Sequence, residues 1–355
     1  MEKTAYLILQ DGTVMQGKSF GAPRETVGEI VFTTGMTGYL ETLTDPSYYG
    51  QIILQTFPLI GNYGVIPPDF ENARPSCAGY IVKHPCRNPS NFRSEGSLHE
   101  FLKANDIPGI YGIDTRSLTK MIRNRGVMNG KITHTLPGES DRTETQRYKV
   151  LSAVSSVSHK DTITPAAPDS PLRRVALLDL GAKRGIGAAL AERGCAMEVF
   201  GSNAGAEDIL KTKPSGIMLS NGPGDPAEPK NAAIIKTIAR LEKSGIPIFG
   251  ICLGHQLLAI AKGYKTKKLK FGHRGANQPV KDTRTGRVYI TSQNHGYEVV
   301  ANDSSFISVN DGTCEGLDYG VNFSVQFHPE ACGGPLDTGF LFDEFIRRID
   351  TYAVR

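Results

Sequence analysis

Paired cysteines and long apolar runs are both absent from this sequence. Its six cysteines, at positions 77, 86, 195, 252, 314 and 332, include no C-x-x-C pair, so no zinc site and no other metal site is predicted. No apolar run reaches the roughly 20 residues that a membrane-spanning helix requires, and the apolar stretch at 5–9 is too short for a secretory leader. We therefore expect free thiols, a cytoplasmic location and no membrane association.

Nucleotide-binding motifs and a strong charge of one sign are also missing. The glycines at 181–187 do not have the register of G-x-x-x-x-G-K-[ST], and they do not match G-x-G-x-x-G because position 190 is leucine. The 40 basic and 36 acidic residues give a net charge of +4 without a basic block interleaved with aromatic residues. The sequence therefore predicts no ATP or dinucleotide site and no nucleic-acid surface on this chain.

The pattern of apolar residues and turns divides the chain into two domains. We predict a smaller, β-rich α/β domain over 1–151, with a hairpin at 5–16, strands at 28–33, 51–56 and 80–83, and helices at 97–104 and 114–125. Residues 152–172 are rich in Ser, Thr, Ala and Pro, which is typical of a linker. The second domain then covers 173–355.

Strands and helices alternate in the second domain. Strands are predicted at 175–179, 197–200, 216–220 and 247–249, and helices at 183–193, 207–211 and 232–243. This alternation predicts an α/β fold with a mainly parallel sheet flanked by helices. Functional loops in such sheets follow the carboxyl ends of the strands.

A candidate nucleophile lies at one of these strand ends. The segment Gly-Ile-Cys-Leu-Gly-His-Gln at 250–256 predicts a strand, a tight turn with Cys252 at its apex, and a helix. The same arrangement presents the serine of a G-x-S-x-G nucleophile elbow. A thiol at a helix N-terminus is stabilised as the thiolate by the helix dipole. An inert buried thiol is the alternative reading.

Nucleophilic catalysis also requires a base. His328 follows a predicted strand, and Glu330 is close enough in sequence to orient the imidazole, which gives the order nucleophile, base, orienter. A surface turn is the alternative reading of this segment. His255 is expected to pack or cap within its helix, whereas His273 and His295, which we place in polar loops, remain open as alternative bases.

Two segments are positioned to stabilise an oxyanion. The amide of Leu253 immediately follows the candidate nucleophile. The segment Ser-Asn-Gly-Pro-Gly-Asp-Pro at 220–226 follows the preceding strand, and its glycines Gly222 and Gly224 allow close backbone approach to a ligand. Gly-Pro-Gly alone would equally fit an ordinary strand-to-helix turn.

Together these motifs resemble a known family. The segments at 220–226 and 250–256, Gln-Asn-His-Gly at 293–296 and His-Pro-Glu at 328–330 resemble the class I, triad-type glutamine amidotransferases. Five further segments are similar to the small subunits of carbamoyl-phosphate synthase, and they lie at 32–38, 43–48, 58–64, 112–116 and 270–277. The resemblance covers nearly the whole chain.

The resemblance implies a function and a set of site residues. Cys252, His328 and Glu330 would hydrolyse L-glutamine through a γ-glutamyl thioester, with Leu253 and Gly222 as the oxyanion donors. The glutamine pocket would be lined by Ser47, Gly222, Gly224, Leu253, Gln256, Asn294, Gly296 and Tyr297. Because Ser47 lies in the first domain, the pocket would lie at a domain interface. Ammonia would pass to a large partner subunit, which would bind ATP and Mg²⁺, and this chain would hold no cofactor.

The sequence departs from the family pattern at a few positions. Cys332 and Leu336 follow the His-Pro-Glu motif, Leu180 stands where tyrosine is usual, and Tyr297 replaces a frequent phenylalanine. Other readings remain: a glutaminase subunit of a different synthase, a stand-alone γ-glutamyl hydrolase or cysteine peptidase, or a catalytically silent docking module.

Overall fold

A computed structural model describes residues 3–166, 171–330 and 333–352 of the chain. Contacts between residues divide it into two compact units, Met1–Leu151 and Ser152–Arg355. No helix within the described ranges is long and apolar enough to cross a bilayer.

The N-terminal unit is built around a β-barrel. Its strands are β1 (Thr4–Leu9), β2 (Val14–Gly21), β3 (Thr26–Thr33), β4 (Gln51–Gln55), β5 (Leu59–Ile60), β6 (Gly79–Val82), β7 (His84–Pro85), β8 (Pro108–Tyr111) and β9 (Met128–Thr133), and its helices are α1 (Tyr39–Thr44), α2 (Leu98–Ala104), α3 (Thr115–Arg125) and α4 (Glu139–Arg147). The barrel closes in the order β1-β2-β8-β6-β4-β3-β9, and β5 pairs with β7. The sequence predicted a β-rich α/β domain, and the closure of its strands into a barrel is a finding of the structure.

Helix boundaries in this unit follow from capping side chains. The Ser97 hydroxyl accepts a hydrogen bond from the Glu100 amide at 3.2 Å, and the Asp114 carboxylate accepts one from the Ser117 amide at 2.9 Å. Each bond satisfies an amide that has no partner within its own helix, so α2 and α3 begin where the sequence predicted.

The C-terminal unit alternates strands and helices before ending in longer antiparallel strands. Its strands are β10 (Arg173–Asp179), β11 (Cys195–Gly201), β12 (Gly216–Leu219), β13 (Ile248–Ile251), β14 (Lys265–Asp282), β15 (Val288–Val300), β16 (Phe306–Ser308), β17 (Cys314–Asp318) and β18 (Phe323–Val325), and its helices are α5 (Ala153–Val157), α6 (Arg184–Ala191), α7 (Ala206–Lys211), α8 (Ala232–Glu242), α9 (Leu253–Ala261) and α10 (Phe340–Tyr352).

These strands form one sheet in the order β11-β10-β12-β13-β18-β17-β15-β14-β16. The first five strands in this order, β11, β10, β12, β13 and β18, pair in parallel. The remaining strands pair antiparallel. Side chains alternate between two apolar clusters: Val175 and Leu177 pack on one face of β10, whereas Ala176 and Leu178 pack on the other. Because both faces are covered, the central strands β12 and β13 contain no polar residue, and the predicted α/β fold is confirmed.

Part of the segment predicted to be a linker packs onto the C-terminal unit. It contains α5, whose Val154 is only 3% exposed and joins the apolar cluster of β12. Ile163 then pairs with Val199 through two backbone hydrogen bonds of 2.8 and 2.9 Å. The Ser- and Pro-rich composition therefore does not indicate the short helix and the β-bridge that this segment contains. Pro168 of the predicted linker lies outside the described residues.

Burial on this sheet gives a stability prediction. Ile217 on β12 is fully buried, whereas Ile290 on β15 is 42% exposed. We expect Ile217→Ala to lower the free energy of unfolding of this unit by about 2–5 kcal/mol, because it removes apolar contacts and leaves a cavity. Ile290→Ala is the matched control and should cost less than about 1 kcal/mol. Urea denaturation followed by circular dichroism measures both, and equal losses would contradict the assignment of β12 to the core.

Candidate active site

Cys252 lies in the turn between β13 and α9, as the sequence predicted. β13 ends at Ile251 and α9 begins at Leu253, so the cysteine is the residue between strand and helix. Its backbone has φ 53° and ψ −104°, a conformation that non-glycine residues rarely adopt. Such backbone strain is typical of residues held in place for function.

Close packing of the backbone explains the glycines on either side of this cysteine. A Cβ on Gly254 would lie 2.4 Å from the carbonyl oxygen of Leu219, and one on Gly250 would lie 2.8 Å from the carbonyl oxygen of Gly254. The Gly254 amide also donates a hydrogen bond to the Ser220 carbonyl at 3.0 Å. The turn is therefore pressed directly against the end of β12.

His328 lies just beyond β18, the strand next to β13 in the sheet. Its amide donates to the Ser292 carbonyl at 2.9 Å. Its Nδ1 lies 2.6 Å from Oε1 of Glu330, and Nζ of Lys183 donates to the same carboxylate oxygen at 3.0 Å. The side chains of His328 and Glu330 are 2% and 0% exposed, so this row of three charged groups is buried.

Each charged group in this row stabilises the ionised form of its neighbour. Burial alone would lower the pKa of His328, but the carboxylate of Glu330 outweighs it and the pKa is raised; the nearby Cys252 side chain adds to the increase. Burial would likewise raise the pKa of Glu330, but Lys183 and His328 hold it well below its usual range. The carboxylate is therefore ionised at neutral pH and stabilises a proton on His328.

The second ring nitrogen of His328 faces the nucleophile side of the site. Nε2 is buried and makes no hydrogen bond of good geometry within the described part of the chain. Cys252 is nevertheless close enough to raise the pKa of the imidazole. With Nδ1 occupied by Glu330, Nε2 is the nitrogen left to exchange protons with the thiol or a substrate.

The two predicted oxyanion donors lie next to each other. A Cβ on Gly222 would lie 2.8 Å from the Leu253 side chain and 2.1 Å from the carbonyl oxygen of Leu180, so this position is tightly enclosed. Leu253 is the first residue of α9, where amides have no partner within the helix. Gly224, with φ 94°, lies in the same loop as Gly222.

Several predicted glutamine-pocket residues also lie near the cysteine. The thiol of Cys252 is 3.7 Å from the carbonyl oxygen of Asn294 on β15. Nε2 of Gln256, on α9, donates to the carbonyl of Tyr297 at 2.9 Å, which ties α9 to β15. Gly296 lies between these two contacts on the same strand. Ser47 belongs to the N-terminal unit, where it is 8% exposed, and its place in the pocket stays a prediction.

The three histidines weighed as alternatives to His328 form contacts outside the row of charged groups. His255 is fully buried in α9, its Nδ1 lies 2.8 Å from the Ser324 hydroxyl, and burial lowers its pKa to about 3, so it stays neutral. His273 and His295 lie in β14 and β15, so their placement in polar loops was wrong. The two strands are interrupted by register shifts and carry many polar residues, which resembles a loop in sequence.

Lys183 is a functional candidate that sequence reasoning missed. It precedes α6, its amide donates to Oδ1 of Asn221 at 3.0 Å, and its side chain is 7% exposed. The sequence signal is a lysine just after the end of β10, within the glycine-rich segment at 181–187 that matches no phosphate motif. Its partner Glu330 is 147 positions away, so the ion pair is visible only in three dimensions.

The positions that depart from the family pattern do not alter the row of charges. Leu180 is fully buried, and its amide donates to the Ser220 hydroxyl at 2.9 Å. Leu336 is 78% exposed. Cys332 lies outside the described residues.

Comparison with known proteins identifies the family of the chain. A family model described as "Carbamoyl-phosphate synthase small chain, CPSase domain" matches residues 7–132, and one described as "Glutamine amidotransferase class-I" matches residues 176–348. The carbamoyl phosphate synthase small chain of Fusobacterium nucleatum is 51% identical, and the match covers 97% of this chain and 98% of that protein. The chain belongs to the carbamoyl-phosphate synthase small-chain family.

Other small chains match over the same extent. The carbamoyl phosphate synthase small chain of Oceanobacillus iheyensis is 49% identical, and the match covers 99% of this chain and 98% of that protein. The small chain of Clostridium perfringens is 47% identical, and the match covers 97% of this chain and 99% of that protein. Membership of the carbamoyl-phosphate synthase small-chain family makes the chain a glutamine-hydrolysing enzyme, a glutamine amidotransferase, and implies a large-chain partner.

The buried lysine gives a prediction for the pH dependence of glutamine hydrolysis. Lys183 lowers the pKa of Glu330, so Lys183→Met should raise that pKa and protonate the carboxylate at higher pH. We expect the acidic limb of the kcat/KM profile to move to higher pH, with a lower plateau.

Lys211→Met is the matched control, because the Lys211 side chain is 74% exposed in the same unit. A purely structural role for Lys183 would lower the plateau and leave the acidic limb in place. Circular dichroism of both variants establishes that they are folded before the profiles are compared.

Proposed function

We propose that this chain hydrolyses L-glutamine with a triad of Cys252, His328 and Glu330 and delivers the ammonia to a large carbamoyl-phosphate synthase chain. The observation that carries the proposal is the buried contact between His328 and Glu330, 2.6 Å long, next to a cysteine at a strained strand-to-helix turn. The arrangement fits the order nucleophile, base, orienter.

The first half-reaction forms a thioester. The thiol of Cys252 gives its proton to Nε2 of His328, and the sulfur attacks the carboxamide carbon of glutamine. The amides of Leu253 and Gly222 stabilise the resulting oxyanion, and one such donor in an oxyanion hole is worth about 3–4 kcal/mol. His328 then protonates the departing nitrogen, so that the C–N bond breaks and ammonia leaves.

The second half-reaction uses the same histidine as a base. His328 takes a proton from water, the hydroxide attacks the thioester carbon, and the C–S bond breaks to release glutamate and restore the thiol. Glu330 stabilises the imidazolium whenever His328 carries the second proton. Lys183 keeps Glu330 ionised throughout the cycle, because its ammonium shares the same carboxylate oxygen.

Substrate recognition is proposed for residues of the C-terminal unit. Gly224, Gln256, Asn294, Gly296 and Tyr297 would line the glutamine pocket together with the oxyanion donors. The role of Ser47 in glutamine binding stays a prediction from the sequence. We further propose that ATP and Mg²⁺ are bound by the large chain, which is consistent with the lack of a phosphate-binding motif in this sequence.

Removal of the thiol is the direct test of this mechanism. Cys252→Ser should abolish glutamine-dependent carbamoyl phosphate formation. A serine hydroxyl is much less acidic than a thiol, so the same histidine does not activate it as a nucleophile. Synthesis from added ammonia should continue at the wild-type rate in the complex with the large chain.

The matched control is Cys195→Ser, which changes a buried cysteine on β11 that takes no part in the site. It should retain glutamine-dependent activity. Normal glutamine turnover by Cys252→Ser would remove Cys252 from its proposed role, and parallel loss of ammonia-dependent synthesis would indicate a defect in assembly instead.

Coupling to the partner gives a second prediction. Hydrolysis without an ammonia acceptor would waste glutamine, so the isolated chain should be slow and should accelerate when the large chain binds. Steady-state glutamate release, measured with and without the purified large chain, tests this. Equal rates would contradict the coupling and would favour a stand-alone hydrolase.

A further inference from the structure

A second histidine–carboxylate cluster lies beside the candidate active site and takes no part in the proposed reaction. It consists of His273 on β14, His295 on β15 and Glu315 on β17, whose side chains are 10%, 2% and 0% exposed. The imidazole rings meet edge to face with centroids 4.9 Å apart. One ligand atom from each residue lies within 4.8 Å of the other two.

The hydrogen bonds of His295 leave one ring nitrogen as a lone-pair donor. Its Nδ1 lies 2.8 Å from the carbonyl oxygen of Tyr297, and since a carbonyl can only accept, Nδ1 carries the hydrogen. In the neutral ring Nε2 is then unprotonated. It lies 3.0 Å from Oε1 of Gln293 and 3.9 Å from Oε1 of Glu315, so acceptor atoms converge on one point.

The orientation of Gln293 is fixed by its own contacts. Its Nε2 donates to Oε2 of Glu315 at 3.0 Å and to the hydroxyl of Thr291 at 3.2 Å, which leaves Oε1 turned toward His295. Rotation of the amide would break both bonds. A cation between these acceptors would satisfy all of them.

His273 presents the same pattern from the opposite strand. Its Nε2 lies 2.8 Å from a carboxylate oxygen of Asp311, and its Nδ1 lies 3.3 Å from Oε1 of Glu315. Histidines that bind metals commonly donate their outer N–H to a carboxylate or a backbone carbonyl, which fixes the ring and its tautomer. Asp311 serves His273 in this way, as the Tyr297 carbonyl serves His295.

We propose that Nδ1 of His273, Nε2 of His295 and a carboxylate oxygen of Glu315 form a binding site for a divalent transition-metal ion of the zinc class. Gln293 supplies its carboxamide oxygen as a neighbouring fourth donor. Imidazole and carboxylate ligands are those that zinc accepts, and two histidines with one carboxylate are a known zinc ligand set.

Two of the three ligand separations are close to those of an occupied site. Ligand atoms of a tetrahedral zinc ion lie about 3.3 Å apart, and the separations from Glu315 Oε1 are 3.3 Å to His273 and 3.9 Å to His295. The three ligand atoms lie within 4.8 Å of one another, so the two imidazoles must move closer together for both to bind one ion. Burial raises the pKa of Glu315 to about 7, and once ionised its carboxylate and that of Asp311 give the position two negative charges, which favour a dication. The guanidinium of Arg274 and the imidazole of His328 act in the opposite direction.

This site was not predicted from the sequence, which indicated no metal. It uses none of the triad side chains. Its ligand His295 lies between Asn294 and Gly296, so a bound ion would join β14, β15 and β17 directly behind the segment that contacts Cys252. An ion there would therefore stiffen that segment.

Titration of the tag-free, EDTA-treated full chain with ZnCl₂ in a calorimeter tests the proposal. We expect one ion per chain. Asp311→Asn, which removes an outer partner, should weaken binding about 10–100-fold, and His273→Gln and Glu315→Gln, which remove ligands, should weaken it further. His84→Gln is the matched control, since this exposed histidine lies in the N-terminal unit. It should bind as the wild type does.

Cobalt distinguishes this site from the cysteine of the triad. CoCl₂ bound by nitrogen and oxygen ligands should give visible d–d bands without a sulfur charge-transfer band, and Cys252→Ser should leave the spectrum unchanged. Absence of stoichiometric binding would overturn the proposal and would mean that a proton holds the cluster together. Ligand variants that bind zinc like the wild type would also overturn it, as would a charge-transfer band that Cys252→Ser removes. Should Glu315→Gln fail to fold, Asp311→Asn and His273→Gln still decide the outcome.

Discussion

The tight turn at Cys252 is the constraint on which the candidate active site depends. Its backbone is held at φ 53° because Gly254 packs against the Leu219 carbonyl too closely for a side chain. The Cys252 amide also donates to the carbonyl of Val325 at 2.9 Å, so the turn is fastened to β12 on one side and β18 on the other. The strand order β12-β13-β18 thereby places the loop at 220–226 and His328 on either side of the thiol.

The buried row of charges follows from the same sheet order. Lys183 comes from the end of β10, Gly222 from the end of β12 and His328 from the end of β18, so the site collects the carboxyl ends of neighbouring parallel strands. Burying an ion pair costs several kcal/mol per ion in lost hydration, and mutual attraction offsets this only with good geometry. A row of alternating sign, with 3.0 and 2.6 Å contacts to one carboxylate oxygen, provides it.

Much of the fold could be predicted because its signals are local. Continuous apolar runs identify the parallel strands, capping side chains mark α2 and α3, and the glycines around Cys252 identify the turn. The role of Lys183 could not be predicted, because it depends on a partner 147 positions away. The helix α5 was hidden by its Ser-rich composition, and β14 and β15 by their polar residues and shifted register. Barrel closure depends on pairing between β1 and β9, which no local pattern encodes.

Among the described residues of the C-terminal unit, two buried histidine–carboxylate pairs have third partners of opposite charge. Glu330 holds His328 on one side and the ammonium of Lys183 on the other, so the carboxylate is already neutralised when the imidazole is uncharged. Glu315 holds His273, whose other nitrogen faces a second carboxylate, that of Asp311. With a neutral imidazole the first group carries no net charge, which suits the proton transfers proposed for His328. The second then carries two negative charges, which a proton on His273 or a bound dication offsets. The chemistry of each pair is thus set by its third partner.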